Sequence, residues 1–138
     1  MEPKTATFSF EKFRVIKSSI NFEHTPSSMR LDFMPSGIFL KEERRFVLNF
    51  LFTAKSEDET TTDNVVSINC EAVYKFEDNI SFESIPEYFY SNSIAIAFPY
   101  IRAFVSTITL QANVKPIILP TLNLTALNSL LKKNTIVK

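Results

Sequence analysis

Few side chains in this sequence could do chemistry, and they are scattered. His24 is the only histidine, and it sits in a polar loop beside Glu23. A metal centre needs three or four converging ligands, so a lone loop histidine is a surface residue before it is a ligand. Cys70 is the only cysteine, and it falls on the apolar parity of a strand. With no second histidine to activate it, it is a core thiol rather than a nucleophile. The acidic run Glu57-Asp58-Glu59 lacks the ligand spacing of a calcium loop and fits a solvated turn. Lys41-Glu42-Glu43-Arg44-Arg45 fits a solvated strand entrance. No carboxylate pair stands against an apolar background, so glycosidase and acid-protease chemistry have no anchor. The single glycine, Gly37, excludes a glycine-rich phosphate loop by count. The expectation is a non-enzyme with no cofactor and no metal.

What the chain does offer is apolar surface. Hydrophobic residues make up 45% of 138 positions, charged residues 22%, and there are 14 phenylalanines. That describes one folded domain, residues 1–138, of common size. The formal net charge of +0 gives no sign of a nucleic-acid partner. One cysteine permits no intrachain disulfide, so a reducing cytoplasm is the expected compartment. No signal peptide is expected at the start. The greasiest run, residues 94–110, carries Pro99 and Arg102 and is expected not to insert into a membrane.

Strand patterns dominate the first half. Residues 7–23 alternate, with Phe8, Phe10, Ile16, Ile20 and Phe22 on one parity and Phe13 and Val15 on the other, which calls for a bulge near residues 12–14. Residues 29–34 form a short strand, with a turn at Pro35-Ser36-Gly37. Residues 45–55 put Phe46, Leu48, Phe50 and Phe52 on one face. Residues 62–76 answer with Val66, Ile68, Cys70, Ala72, Tyr74 and Phe76. The expected product is a four-stranded antiparallel sheet, greasy on one side and wet on the other.

Helical patterns dominate the second half. Residues 77–93 break the alternation and fit a crossover loop, unusually rich in aromatics. Two uses of Phe82, Tyr88, Phe89 and Tyr90 stay open: they complete the core, or they line a groove. Ile94, Phe98, Ile101, Val105 and Ile108 then take helical spacing, with a main helix expected to start at or just before Phe98 and to stop at Asn113. Pro116 and Pro120 bracket an extended apolar loop. Asn123 would cap a last helix carrying Leu124, Leu127, Leu130 and Leu131, with Lys132 and Lys133 at its end.

Residues 98–127 read FPYIRAFVSTITLQANVKPIILPTLNLTAL. This segment resembles the SecB export chaperones, in which a helix opening with FPYAR leads to an apolar proline loop and a short helix starting at Asn. Ile20-Asn21-Phe22-Glu23 and Cys70-Glu71 are similar to the family as well, and the order of elements agrees. The resemblance implies an α+β domain and an ATP-independent holdase, assembled as a homotetramer from two dimers, that wraps unfolded preproteins in apolar grooves. By position it would line the groove with Ile68, Phe76, Phe82 and Phe98. Ile117, Ile118, Leu119 and Leu122 would form a mobile lid. It also implies hand-over of clients to the export motor SecA across the wet sheet face, through Glu23 and Glu71 with Ser19 and Asn69 beside them.

This chain departs from the family in places. Ser19 and Asn69 stand where the family carries an acid and an apolar residue. The chain is neutral, and it ends in lysines rather than an acidic tail. A SecB-like chaperone that protects an antitoxin is therefore a second expectation. A small-ligand binder or a structural oligomerisation domain would be rivals from other classes. A ligand pocket would need polar groups on the apolar strand parity, where Phe, Leu, Val and Ile stand instead.

Overall fold

A computed structural model of the chain describes residues 8–23, 26, 28–57, 64–120 and 125–138. Four long strands, β1 (Phe8–Ile20), β2 (Met29–Leu40), β3 (Arg45–Ser56) and β4 (Asn64–Phe76), precede a helix α1 (Glu87–Gln111), a short helix α2 (Thr125–Lys133) and a strand β5 (Thr135–Val137). The sheet runs β1-β4-β3-β2-β5. The four expected strands pair antiparallel, and β5 adds in parallel to β2 at residues 37–39. The sheet is therefore mixed and five-stranded rather than four-stranded and antiparallel.

Phe46, Leu48, Phe50 and Phe52 of β3 and Ile68, Cys70, Ala72, Tyr74 and Phe76 of β4 face inward and are buried, as their alternation requires. β1 keeps its greasy side inward by skipping. Its register slips at Glu11 and again at Ile16, so Phe8, Phe10, Phe13 and Val15 end on the same face although their numbering changes parity. Two bulges thus replace the single one expected between them.

β2 is longer than its composition suggests. It runs straight through Pro35-Ser36-Gly37, and the chain reverses at residues 41–44, where Arg44 takes φ 57°. Pro35 is tolerated because its polar groups face away from β3: its carbonyl accepts from Asn134 Nδ2 on the outer edge, so the missing N–H costs no ladder bond. Gly37 is required by space. A Cβ there would meet the Phe46 ring at 2.8 Å or less and Thr135 Oγ1 at 2.8 Å.

α1 starts eleven residues before Phe98 (98 − 87 = 11). Pro86 caps it in an extended conformation, and Glu87 sits favourably at its positive end. The aromatic stretch expected to be a loop is therefore a 3₁₀ turn, Phe82–Ser84, and the first turns of the helix. Phe89 packs edge-on against Phe8, Phe46 and Tyr74. Pro99 lies inside α1 on its exposed side, where water can replace the lost bond to the Ala95 carbonyl. Asn113 ends the helix in the left-handed region, φ 61°, as expected, and Val114 N reaches back to Thr109 O. By length and composition α1 could cross a bilayer. Here its apolar stripe is the core of the fold.

Candidate functional site

The inner face of the sheet is only partly covered. α1 lies across its middle and α2 packs on β2 and α1. On the β1 side Phe10 and Phe13 stay half-buried, and the half-exposed Tyr100 ring stacks on Phe13 at 5.1 Å and leans on Phe10 at 5.5 Å. On the β2 side Met29, Leu31 and Phe33 are half-buried, with Phe33 at 5.9 Å from Phe98. Two apolar margins therefore flank the helix.

The loop after α1 is fastened rather than loose. Thr109 Oγ1 donates to Val105 O at 2.9 Å and accepts the Ile117 N–H at 2.9 Å, while Ser106 Oγ donates to Ile117 O at 3.3 Å. Both polar groups of Ile117 are thus bound to α1. Ile117 and Leu119 point into the core, and Ile118 between them is 71% exposed.

These positions sort the residues named from the sequence. Ile68, Phe76, Phe98, Ile117 and Leu119 are buried in this structure, so they form the floor beneath the surface instead of the surface itself. Phe82 is half-buried and packs on the core, and Ile118 is exposed. Leu122, Asn123 and His24 lie outside the described residues. Phe89 and Tyr90 are core, whereas Tyr88 is exposed. The residues that sequence reasoning missed are Tyr100, Phe10 and Phe13. Tyr100 was within the quoted FPYIR motif, but its role depends on a strand ninety residues earlier.

The outer face carries the other named set. Ser19, Asn69 and Glu71 share it, since Ser19 pairs Ser67, Asn69 pairs Lys17, and Glu71 pairs Arg14. Glu71 takes a 2.6 Å ion pair from Arg14 Nε. Glu23 lies beyond the end of β1, its N–H donating to Asn21 Oδ1. Nearby, Glu11 accepts from Arg45 Nε and Nη2, and that pairing holds its carboxyl below the ordinary value.

Two groups that could do chemistry are quenched by burial. Cys70 is buried, its Sγ–H directed at Phe50 O at 3.3 Å, and burial pushes its pKa up to about 12. Burial also raises Tyr74, whose hydroxyl donates to Ser93 O at 2.5 Å. Among the described residues no three His, Cys, Asp or Glu side chains converge on a metal position.

This arrangement is a SecB-like fold. The SecB-like chaperone of Mycobacterium tuberculosis, solved with a ChAD peptide from the HigA1 antitoxin, superposes with a TM-score of 0.69 over 85% of this chain and 88% of that one, at 17% identity. A protein of unknown function from Streptococcus agalactiae gives 0.42 at 9% identity, over 83% of this chain and 97% of that one. In sequence, 32 residues are 62% identical to an uncharacterized protein of Methanocaldococcus jannaschii; they are 23% of this chain and 21% of that protein. No family model matches the chain.

Proposed function

We propose that this chain is an ATP-independent holding chaperone that captures non-native polypeptide on the apolar margins beside α1 and catalyses nothing. The observation that carries this reading is the half-covered inner face: Tyr100 over Phe10 and Phe13 on one side, Phe33 beside Phe98 on the other. An unfolded client offers apolar side chains, and a non-directional apolar surface accepts many sequences. Burial at about 25 cal/mol per Å² is weak at any one spot, so capture requires several such spots acting on one chain. A homotetramer, two dimers joined through the exposed side of α1, would multiply them. The cytoplasm is the compartment this reading assigns.

The likeness to a chaperone bound to an antitoxin peptide supports an antitoxin segment as the client. It is favoured over delivery to SecA by one feature of the outer face. A SecA contact would use Glu23 and Glu71 with Ser19 and Asn69, and Glu71 is already held by Arg14.

The test is dilution of a chemically unfolded, aggregation-prone protein into nucleotide-free buffer with and without this chain. Light scattering suppressed at near-stoichiometric ratio is the expected result. Unchanged scattering with a folded, monodisperse sample would reject the holding function.

A further inference from the structure

The two bulges of β1 have a consequence on the outer face. By skipping at Glu11 and Ile16, the strand places Lys12, Arg14 and Lys17 on that face, opposite Val73, Glu71 and Asn69. Each cation heads a row across the sheet. The Lys12 row continues through Val73, Val47 and Ile38; the Lys17 row through Asn69, Leu51 and Met34. The face is basic along β1 and apolar toward β2, where Met34 is 50% exposed.

Between the two regions lies a depression of about 460 Å³ floored by Val47, Val73 and Leu40 and walled by Lys12 and Arg45 together with Glu11, Glu43 and Glu71. The acids around it are paired: Glu71 with Arg14, and Glu11 and, at 3.8 Å, Glu43 with the one Arg45. Lys12, Lys17 and Lys75 form no ion pair with any described residue. Five cations, Lys12, Arg14, Lys17, Arg45 and Lys75, thus stand with three acids, Glu11, Glu43 and Glu71, so the charge left over here is positive, in a chain whose net charge is +0.

We propose that the outer sheet face is a second docking surface, which binds an acidic protein segment carrying apolar side chains among its carboxylates. The carboxylates lie over Lys12, Lys17 and Lys75, and an apolar side chain enters the depression onto Val47 and Val73. Charge complementarity selects the partner. A nucleic acid fits worse, because its phosphates could take the lysines but it carries no apolar side chain to fill the depression. The surface is separate from the helix-covered face, and the inference stands whether or not that face holds clients.

The probe is a fluorescein-labelled synthetic peptide of Glu and Asp with interspersed Leu, titrated with the full chain by fluorescence anisotropy at low salt. Comparison probes are a Glu-only peptide of equal length, an oligothymidine and phosphatidylglycerol vesicles. The Glu/Asp/Leu peptide binds tightest. Reversing Lys12, Lys17 and Lys75 to Glu weakens it about tenfold or more, the scale of a few lost charge contacts. Binding of an unfolded client and the circular dichroism spectrum stay unchanged. The milder Lys12→Gln with Lys17→Gln gives the same direction should the triple reversal fold poorly. Val47→Ser weakens the Glu/Asp/Leu peptide but not the Glu-only one. Absent binding, equal or tighter binding of any comparison probe, or indifference to the lysine changes would overturn the proposal.

Discussion

The neighbours Ile118 and Leu119 allow surface and core to be separated within one loop. Ile118 is 71% exposed, and Leu119 is 0% exposed. Fully burying an isoleucine is worth about 1.5–3 kcal/mol. Some seven-tenths of that is still available to a client, about 1–2 kcal/mol, or a factor of about 6 to 35 in affinity at roughly 1.4 kcal/mol per tenfold. Ile118→Asp should remove at least that much, because a client would also have to cover a carboxylate. The same change should leave folding stability within about 0.5 kcal/mol, as for most exposed substitutions. Leu119→Ala should instead cost about 2–5 kcal/mol of stability through the cavity it leaves. The assays are urea unfolding of both variants, and titration of a permanently unfolded, labelled client at a temperature where both are folded. Client affinity unchanged by Ile118→Asp would refute the assignment of this loop to the binding surface. Equal loss of stability in the two variants would refute the loop geometry from which the magnitudes come.

Other consequences follow from the packing and the titrating groups. Gly37→Ala should destabilise by about 1–3 kcal/mol, because the added methyl has to displace the Phe46 ring or Thr135; chemical denaturation measures this, and a neutral result would mean β5 is not seated there. Thr109→Val keeps the shape but strands the Ile117 N–H, at a cost of about 1–3 kcal/mol, and should speed proteolysis between residues 114 and 120. Cys70 should resist iodoacetamide at pH 8 in the native state and react once unfolded. Its pKa is raised on folding, so its contribution is complete below the unfolded value of 9.0 and is lost as pH climbs from there toward about 12. A Cys70→Ala variant should therefore show a shallower alkaline decline, measured as unfolding free energy against pH.

The inner faces of β3 and β4 were legible because each alternates cleanly and is buried on one side only. β2 was not, since Pro35 and Gly37 are turn residues in most settings. Their reading depends on a strand partner a hundred positions away: β5 supplies the outer edge where Pro35 needs no donor, and Phe46 fills the space that Gly37 leaves. α1 was cut short because Ser91, Asn92 and Ser93 look like loop. Yet Ser93 is buried, bonds back to Tyr90 O and gives its own carbonyl to Tyr74. Residues 135–137 follow two lysines and an asparagine at the end of a helix, and three β-branched or apolar residues are too short a signal to announce a strand. For the site, the sequence could show that Phe82, Phe98 and the proline loop are apolar. It could not show which apolar residues stay uncovered, because that is set by where α1 crosses the sheet.

β1 shows how one strand serves two surfaces with different chemistry. Thirteen residues in strict alternation from Phe8 would put Lys12 and Arg14 inward and Phe13 and Val15 outward. Each bulge corrects this at the cost of one unpaired residue. The register makes the correction testable by deletion. Without Ile16, Val15 still pairs Cys70 and Lys17 still pairs Asn69, so only an exposed extra residue is lost. Without Ser18, the bulge can close only by turning Lys17 inward into the place opposite Ile68, with Ile16 exposed outside. Both deletions remove one residue from the same end of the same edge strand, and they should behave differently. The Ile16 deletion should keep stability within about 1 kcal/mol, the size of a minor edge change, and retain binding of the acidic peptide. The Ser18 deletion should weaken that binding, because one of the three lysines that hold the peptide has changed faces. Identical behaviour of the two deletions in peptide binding would mean that the bulges do not set which surface the lysines serve.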